Sequence, residues 1–290
     1  MLFRSSVVYT VTDAVGNSAT GTATYAVQID RTVPTAASSQ SPAANAAGWN
    51  TGAVSVTVTG TDNTGGSGIA SITYSATGAQ TIASTTVAGT SATLPSITAA
   101  GTTTVSYTVT DVAGNTATGT RTVKIDSAAP TGTASANPAL NAQGWANANV
   151  TVTLGGTDNT GGSGIASITY SAAGAQTVAS TTVNAATASV SLSNAGTTTV
   201  TYTVTDAAGN ASAPATFVVS IDKSAPSTTV TQSPAANAAG WNTGAVAVTL
   251  SATDSGSGVA SITYSATGAQ TRSEEHTSEL QSHLNLVCRL

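Results

Sequence analysis

The sequence predicts an all-β protein of tandem sandwich repeats, about 96 residues each in an extended array, and three observations carry that reading. Apolar residues make up 40% of the 290 residues and charged ones 7%, too apolar a balance for a disordered polymer. Valine and threonine fall in short alternating runs rather than at helical spacing. Landmarks also recur at a fixed interval: Trp49, Trp145 and Trp241 each follow a glycine, and Asp30, Asp126 and Asp222 each close an Ile-Asp pair, always 96 residues apart.

Whole segments repeat as well. Gly60 to Ala76 (GTDNTGGSGIASITYSA) is identical to Gly156 to Ala172, and Gln40 to Val54 is identical to Gln232 to Val246, as recent duplication leaves them. The repeat divides the chain into the tail of one unit (6–30), two complete units (31–126 and 127–222) and the head of a fourth (223–271). Within the first complete unit, Val54–Thr61, Ile69–Ser75, Thr103–Asp111 and Thr116–Asp126 read as strands, bounded by Gly, Asn, Asp and Pro. Val105, Tyr107 and Val109 share one face and are expected in the core with Tyr74 and Trp49. The weaker stretch from Ala79 to Ile97 accommodates two or three shorter strands.

The two ends have a different character. Residues 272–290 (RSEEHTSELQSHLNLVCRL) hold the only cysteine, both histidines and every glutamate, and resemble the conceptual translation of a sequencing-library adapter. Leu2, Phe3, Arg4 and Ser5 match the translated reverse complement of the same adapter. Residues 1–5 and 272–290 are therefore set aside like an expression scar, so that Cys288, His276 and His283 enter no functional argument and the true termini are expected to be missing. A short amphipathic C-terminal helix is the other reading of the tail. A break in mid-repeat weighs against it: Ala260 to Thr271 copies Ala70 to Thr81, and Arg272 then interrupts the copy.

Several function classes are disfavoured. Seven Lys+Arg against twelve Asp+Glu leave no basic surface for nucleic acid or an anionic membrane. No run approaches the eighteen or so apolar residues that cross a bilayer. Between the ends there is no His, Cys or Glu, so general acid–base and nucleophilic chemistry have few players. Gly65-Gly66-Ser67-Gly68 lacks the lysine of a phosphate loop and reads as a turn.

The Gly-Trp pair, then Thr-Asp…Ser-Gly-Ile-Ala-Ser-Ile-Thr-Tyr, then Tyr-Thr-Val-Thr-Asp-x-x-Gly-Asn, then Ile-Asp resemble the bacterial immunoglobulin-like (Ig-like) repeats of large surface proteins over residues 6–271. The resemblance implies a sandwich of about seven strands per repeat and an extracellular or cell-surface location. With no cysteine pair to bridge the sheets, packing alone must hold so small a domain. The role expected is structural or adhesive, a stalk contacting an unknown surface ligand, polysaccharide or host or partner-cell protein. The alternative is a set of carbohydrate-binding accessory repeats of a secreted polysaccharide-degrading enzyme.

Two residue sets are candidate sites. The nine aspartates of the repeats fall at strand ends (Asp30, Asp126, Asp222), in a first loop (Asp62, Asp158, Asp254) and in a hairpin turn (Asp13, Asp111, Asp206). In a seven-strand sandwich the second-to-third and sixth-to-seventh connections lie where the chain enters. Asp30, Asp62 and Asp111 are thus expected to converge at one domain junction, and Asp126, Asp158 and Asp206 at the next, as hard oxygen ligands for Ca2+. Ordinary turn capping by Asp is the competing explanation. Trp49, Trp145 and Trp241 are expected as buried anchors, with stacking on sugar rings the alternative if they are exposed. An isopeptide role for Lys124 or Lys223 is disfavoured, because Ser220 replaces Lys124 one repeat on.

Overall fold

The computed structural model describes residues 2–266, 272–277 and 283–289. The chain divides into two compact units: Met1–Pro130 with Asp158–Ile165 and Thr205–Ala211, and Thr131–Thr157 with Ala166–Val204 and Ser212–Leu290. All the regular structure among the described residues is β.

In the first unit, β1 (Leu2–Thr12) and β2 (Ser18–Gln28) form an antiparallel hairpin. A seven-strand sandwich follows: β3 (Thr35–Ser41), β4 (Ser55–Thr61), β5 (Ile69–Gly78), β6 (Ile82–Ala88), β7 (Ser91–Thr93), β8 (Gly101–Asp111) and β9 (Thr116–Ile125). Its sheets run β3-β4-β7 and β6-β5-β8-β9. In the constant-type Ig arrangement the fourth strand extends the first sheet; here β6 pairs with β5 instead.

Alternation builds the core. Val54 just before β4, with Val56 and Val58 on it, faces Ile72 and Tyr74 of β5, Val105, Tyr107 and Val109 of β8, and Val123 and Ile125 of β9, all within one buried cluster. Threonines take the opposite face, where cross-strand hydroxyl pairs form, Thr73 with Thr86 at 2.8 Å and Thr57 with Thr93 at 3.1 Å. The stretch between Ala79 and Ile97 contains two strands, β6 and β7.

In the second unit the strands are β10 (Thr131–Asn137), β11 (Trp145–Ala146), β12 (Val150–Thr157), β13 (Ile165–Gly174), β14 (Val178–Val183), β15 (Thr187–Leu192), β16 (Gly196–Asp206) and β17 (Ala215–Ile221). They form sheets β10-β12-β15 and β11-β17-β16-β13-β14. Val150, Val152, Leu154, Ile168, Val190, Val200, Val204, Val219 and Ile221 are at most 3% exposed. β18 (Ser227–Ser233), β19 (Ala247–Thr253), β20 (Ser261–Ala266), β21 (Arg272–Thr277) and β22 (His283–Arg289) complete the unit as sheets β18-β19-β22 and β20-β21. The described part of the tail is thus stranded, not helical. Residues 1, 278–282 and 290 of the two end segments lie outside the described residues.

Candidate metal centre

The loop from β4 to β5 is shaped around one carboxylate. Asp62 Oδ1 accepts from the Asn63 N–H (2.9 Å) and Oδ2 from the Gly68 N–H (2.6 Å), so the side chain closes its own loop. Gly65 and Gly68 turn the chain at φ +80° and +84°. A Cβ on Gly66 would stand 2.7 Å from Asp62 Oδ2 and 2.8 Å from Asn63 Oδ1, so it would push both side chains out of their present places.

Two further aspartates reach the same place. Asp111, at the end of β8 and 1% exposed, accepts from the Asn115 N–H and carboxamide, both at 2.8 Å. The Asn115 carboxamide also donates to the Asp30 carbonyl at 3.2 Å. Asp30 accepts from the N–H of Ser67 (2.8 Å) and of Thr32 (3.1 Å). The Ser67 N–H first, and the Thr32 N–H after it, hold the Asp30 carboxyl below its ordinary value. Asp30, Asp62 and Asp111 each place a carboxylate oxygen within 4.8 Å of the others.

The same construction recurs at Asp126, Asp158 and Asp206, again within 4.8 Å and again inside the first compact unit. Asp126 is fully buried and Asp206 is 2% exposed. The partners correspond: Ser163 N–H to Asp126 (2.7 Å), Gly164 N–H to Asp158 (2.6 Å), Asn210 to both Asp206 oxygens, and the Asn210 carboxamide to the Asp126 carbonyl (2.9 Å). Gly162 repeats the constraint at Gly66.

The hydrogen bonds given to these six carboxylates come from neutral donors. Like charges this close disfavour one another, and burial adds to the cost. Hard, convergent oxygens suit Ca2+. The Asn159 carboxamide has one polar atom 2.8 Å from Asp158 Oδ1 and 3.3 Å from Asp126 Oδ1. That atom is the nitrogen, which donates to both carboxylates. Asn115, Asn210, Ser67 and Ser163 are the site residues that sequence reasoning missed. The Gly-Asn ending of each turn is the signal for the two asparagines, and Asp111 and Asp206 do also cap those turns.

The third copy is different. Its loop is two residues shorter, and Asp254 accepts from the Gly256 and Gly258 N–H groups. Asp222, 8% exposed, accepts from Ser257 N–H (2.7 Å) and hydroxyl (2.8 Å) and from Ser224 N–H (3.0 Å). These donors, the Ser257 N–H foremost, hold its carboxyl below the ordinary 3.8. A depressed folded-state value contributes stability above the unfolded value, and that contribution is lost as pH falls through the lower folded value. The gap in melting midpoint between the native chain and Asp222→Asn is therefore expected to be widest at neutral pH and to shrink below about pH 4. Melts recorded from pH 7 to pH 2 measure it; a gap constant over that range would show that ionisation of Asp222 plays no part.

The tryptophans are not core anchors, which corrects the expectation drawn from the Ig-like pattern. Trp49 and Trp145 are half-buried and Trp241 is 74% exposed. Each sits after a positive-φ glycine (Gly48, Gly144, Gly240) in a turn headed by Asn45, Asn141 or Asn237, whose side-chain oxygen accepts from the Trp N–H. That turn holds the indole at the sandwich margin, while Val and Ile fill the interior. Lys124 covers the Trp49 ring at 5.6 Å, and Trp145 lies in a groove with Pro138, Leu140 and Asn141. Lys223 bonds Asn149 and the Ser193 carbonyl.

The fold defines a class, all-β Ig-like sandwiches. No protein-family profile matches the chain, and no curated protein does. Among solved structures it is similar to a tetra-tandem repeat in the extending region of a large adhesion protein (19% identity, 98% of this chain and 73% of that one, TM-score 0.39). It is also similar to the Escherichia coli adhesin FdeC (19%, 87% of each chain, TM-score 0.37) and to Clostridium thermocellum CbhA fibronectin(III)-like modules (14%, 64% of this chain and 95% of that one, TM-score 0.31). At such scores the likeness carries no functional argument. Among the described residues no helix is long and apolar enough to cross a membrane.

Proposed function

We propose that this chain is a structural and adhesive repeat region of a secreted or surface-displayed bacterial protein, without catalysis of its own, stiffened by Ca2+ at its two aspartate clusters. The observation that carries the reading is the rebuilding of one three-carboxylate cluster on equivalent loops, Asp30-Asp62-Asp111 and then Asp126-Asp158-Asp206. A catalytic site is a single asymmetric arrangement, whereas a stabilising ion is useful at every repetition. The lack of His, Cys and Glu between the end segments agrees with it.

Thermal unfolding of the whole chain in chelator, in Mg2+ and in millimolar Ca2+ tests the proposal. Calcium is expected to raise the melting midpoint, with each site contributing about 2.7 kcal/mol once the free ion reaches about 100 times its dissociation constant. Changing Asp126, Asp158 and Asp206 to Asn is expected to remove one of two increments and leave the Asp30 cluster responsive. A native chain indifferent to calcium would end the metal reading and leave the aspartates as turn caps.

A further inference from the structure

The turn that precedes each tryptophan commits one end of an asparagine side chain and leaves the other end for a partner. Asn45 Oδ1 accepts from the N–H groups of Ala47 and Trp49, both at 3.0 Å. The backbone closes the same turn, Asn45 N–H to the Trp49 carbonyl at 2.8 Å and Gly48 N–H to the Asn45 carbonyl at 2.9 Å. Asn141 and Asn237 head turns with the same bonds. With its oxygen used inside the turn, the carboxamide still has two N–H donors to place.

At Asn45 both donors go to one place, 162 and 163 residues further along the chain. Nδ2 donates to the Ala207 carbonyl at 2.8 Å and to the Ala208 carbonyl at 3.1 Å. These carbonyls belong to the turn at 206–210, part of the following repeat in sequence and of the first compact unit in space. That turn is fixed from within. Ala207 N–H donates to the Gly164 carbonyl (2.8 Å), Ala208 N–H to Ser163 Oγ (2.9 Å), and the N–H groups of Gly209 and Asn210 to Asp206 Oδ1 (2.7 and 2.8 Å). Its N–H groups are therefore satisfied by its own loops, and the two carbonyls are met by Asn45. Although it lies in a turn, Ala208 is only 6% exposed.

We propose that the turn at 45–49 is a recognition element for the repeat that follows it, its carboxamide reading the paired carbonyls of that repeat's Asp-x-x-Gly-Asn turn. Both complete repeats carry both halves, the donor turn near the start (Asn45, Asn141) and the acceptor turn near the end (Asp111, Asp206), so one contact serves every succession of repeats. Small side chains at Ala207 and Ala208 leave their carbonyls open to the approach. Asn45 is thus a positioning residue: it holds from outside the turn that carries Asp206, and it is no metal ligand. The contact joins neutral groups and needs no ion, so it goes beyond the calcium reading and stands or falls separately from it.

The test follows backbone amide exchange of the full chain by NMR, in chelator. Asn45→Asp keeps the oxygen that closes the turn at 45–49, as aspartate does in such turns, but puts an acceptor where the donating nitrogen stood. Exchange at Ala207, Ala208 and Asn210 is expected to quicken about fivefold, the worth of one net hydrogen bond. Ile72 and Ile168, fully buried in the two sandwiches, are expected to keep their rates. Asn141→Asp makes the same substitution in the matching turn of the second repeat and is expected to leave residues 207–210 unchanged. Rates at 207–210 that Asn45→Asp does not alter overturn the proposal, and so does an equal response to Asn141→Asp. Should Asn45→Asp unfold the first sandwich, the native chain decides. Scalar coupling across the hydrogen bond, from Asn45 Nδ2 to the carbonyl carbon of Ala207 or Ala208, is expected there, and its absence overturns the proposal.

Discussion

Ile72→Ala is expected to lower the unfolding free energy of its sandwich by about 2–5 kcal/mol, the range for emptying a buried isoleucine site. Ile72 is fully buried in the cluster that joins β4, β5, β8 and β9, so the lost volume has no surface side chain to collapse into it. A domain this size has only about 5–15 kcal/mol to lose. Ile168, fully buried at the same point of the second sandwich, should behave alike. Ile82→Ala, at a half-buried margin position, should cost clearly less. Denaturant unfolding followed by fluorescence reads the result, since Trp49 and Trp145 each lie in one of the two sandwiches. Equal costs at Ile72 and Ile82 would show that the core repacks freely.

Gly78→Ala is expected to cost about 3 kcal/mol, for two reasons that add. Its φ of +109° is a conformation that side chains rarely adopt, and a Cβ there would run into the Thr102 carbonyl oxygen. That carbonyl is already fixed, because it accepts from the Ala79 N–H at 2.9 Å. Gly114, in the β8–β9 turn, has a φ of +94° but open space around it. Gly114→Ala should therefore cost only the backbone strain, about 1 kcal/mol. Chemical denaturation of both variants checks the difference. If they proved equally destabilised, the carbonyl contact would be yielding and strain alone would govern both sites.

Much of the sandwich was legible because its strands obey one rule. Val105, Tyr107 and Val109 alternate with serine and threonine, and that period places them in the core with no knowledge of the partner sheet. β3 obeys no such rule. Thr-Ala-Ala-Ser-Ser-Gln-Ser has no branched apolar residue, and it is a strand only because β4 offers it an edge to pair with. The aspartates could be found because their neighbours are fixed by backbone geometry, the glycines of TDNTGGSG and the Asp-x-x-Gly-Asn turn. Asn115 and Asn210 were obscured by that same turn, in which asparagine is common whether or not its carboxamide reaches Asp30 or Asp126. Trp49 is placed differently from the buried anchor that the sequence leads one to expect, because valine and isoleucine supply enough volume to fill the core and the Asn45 turn holds the half-buried indole at the margin.

The outward threonine pairs described above, Thr73 with Thr86 and Thr57 with Thr93, bear on the medium in which such a protein can work. A face held together by hydroxyl groups presents neutral dipoles to the solvent, and only 7% of the chain is charged. Monovalent salt screens exposed charge, and on this face it finds little to screen. The stability that these threonine pairs contribute should therefore hardly change with ionic strength, whatever Ca2+ does at the aspartate clusters.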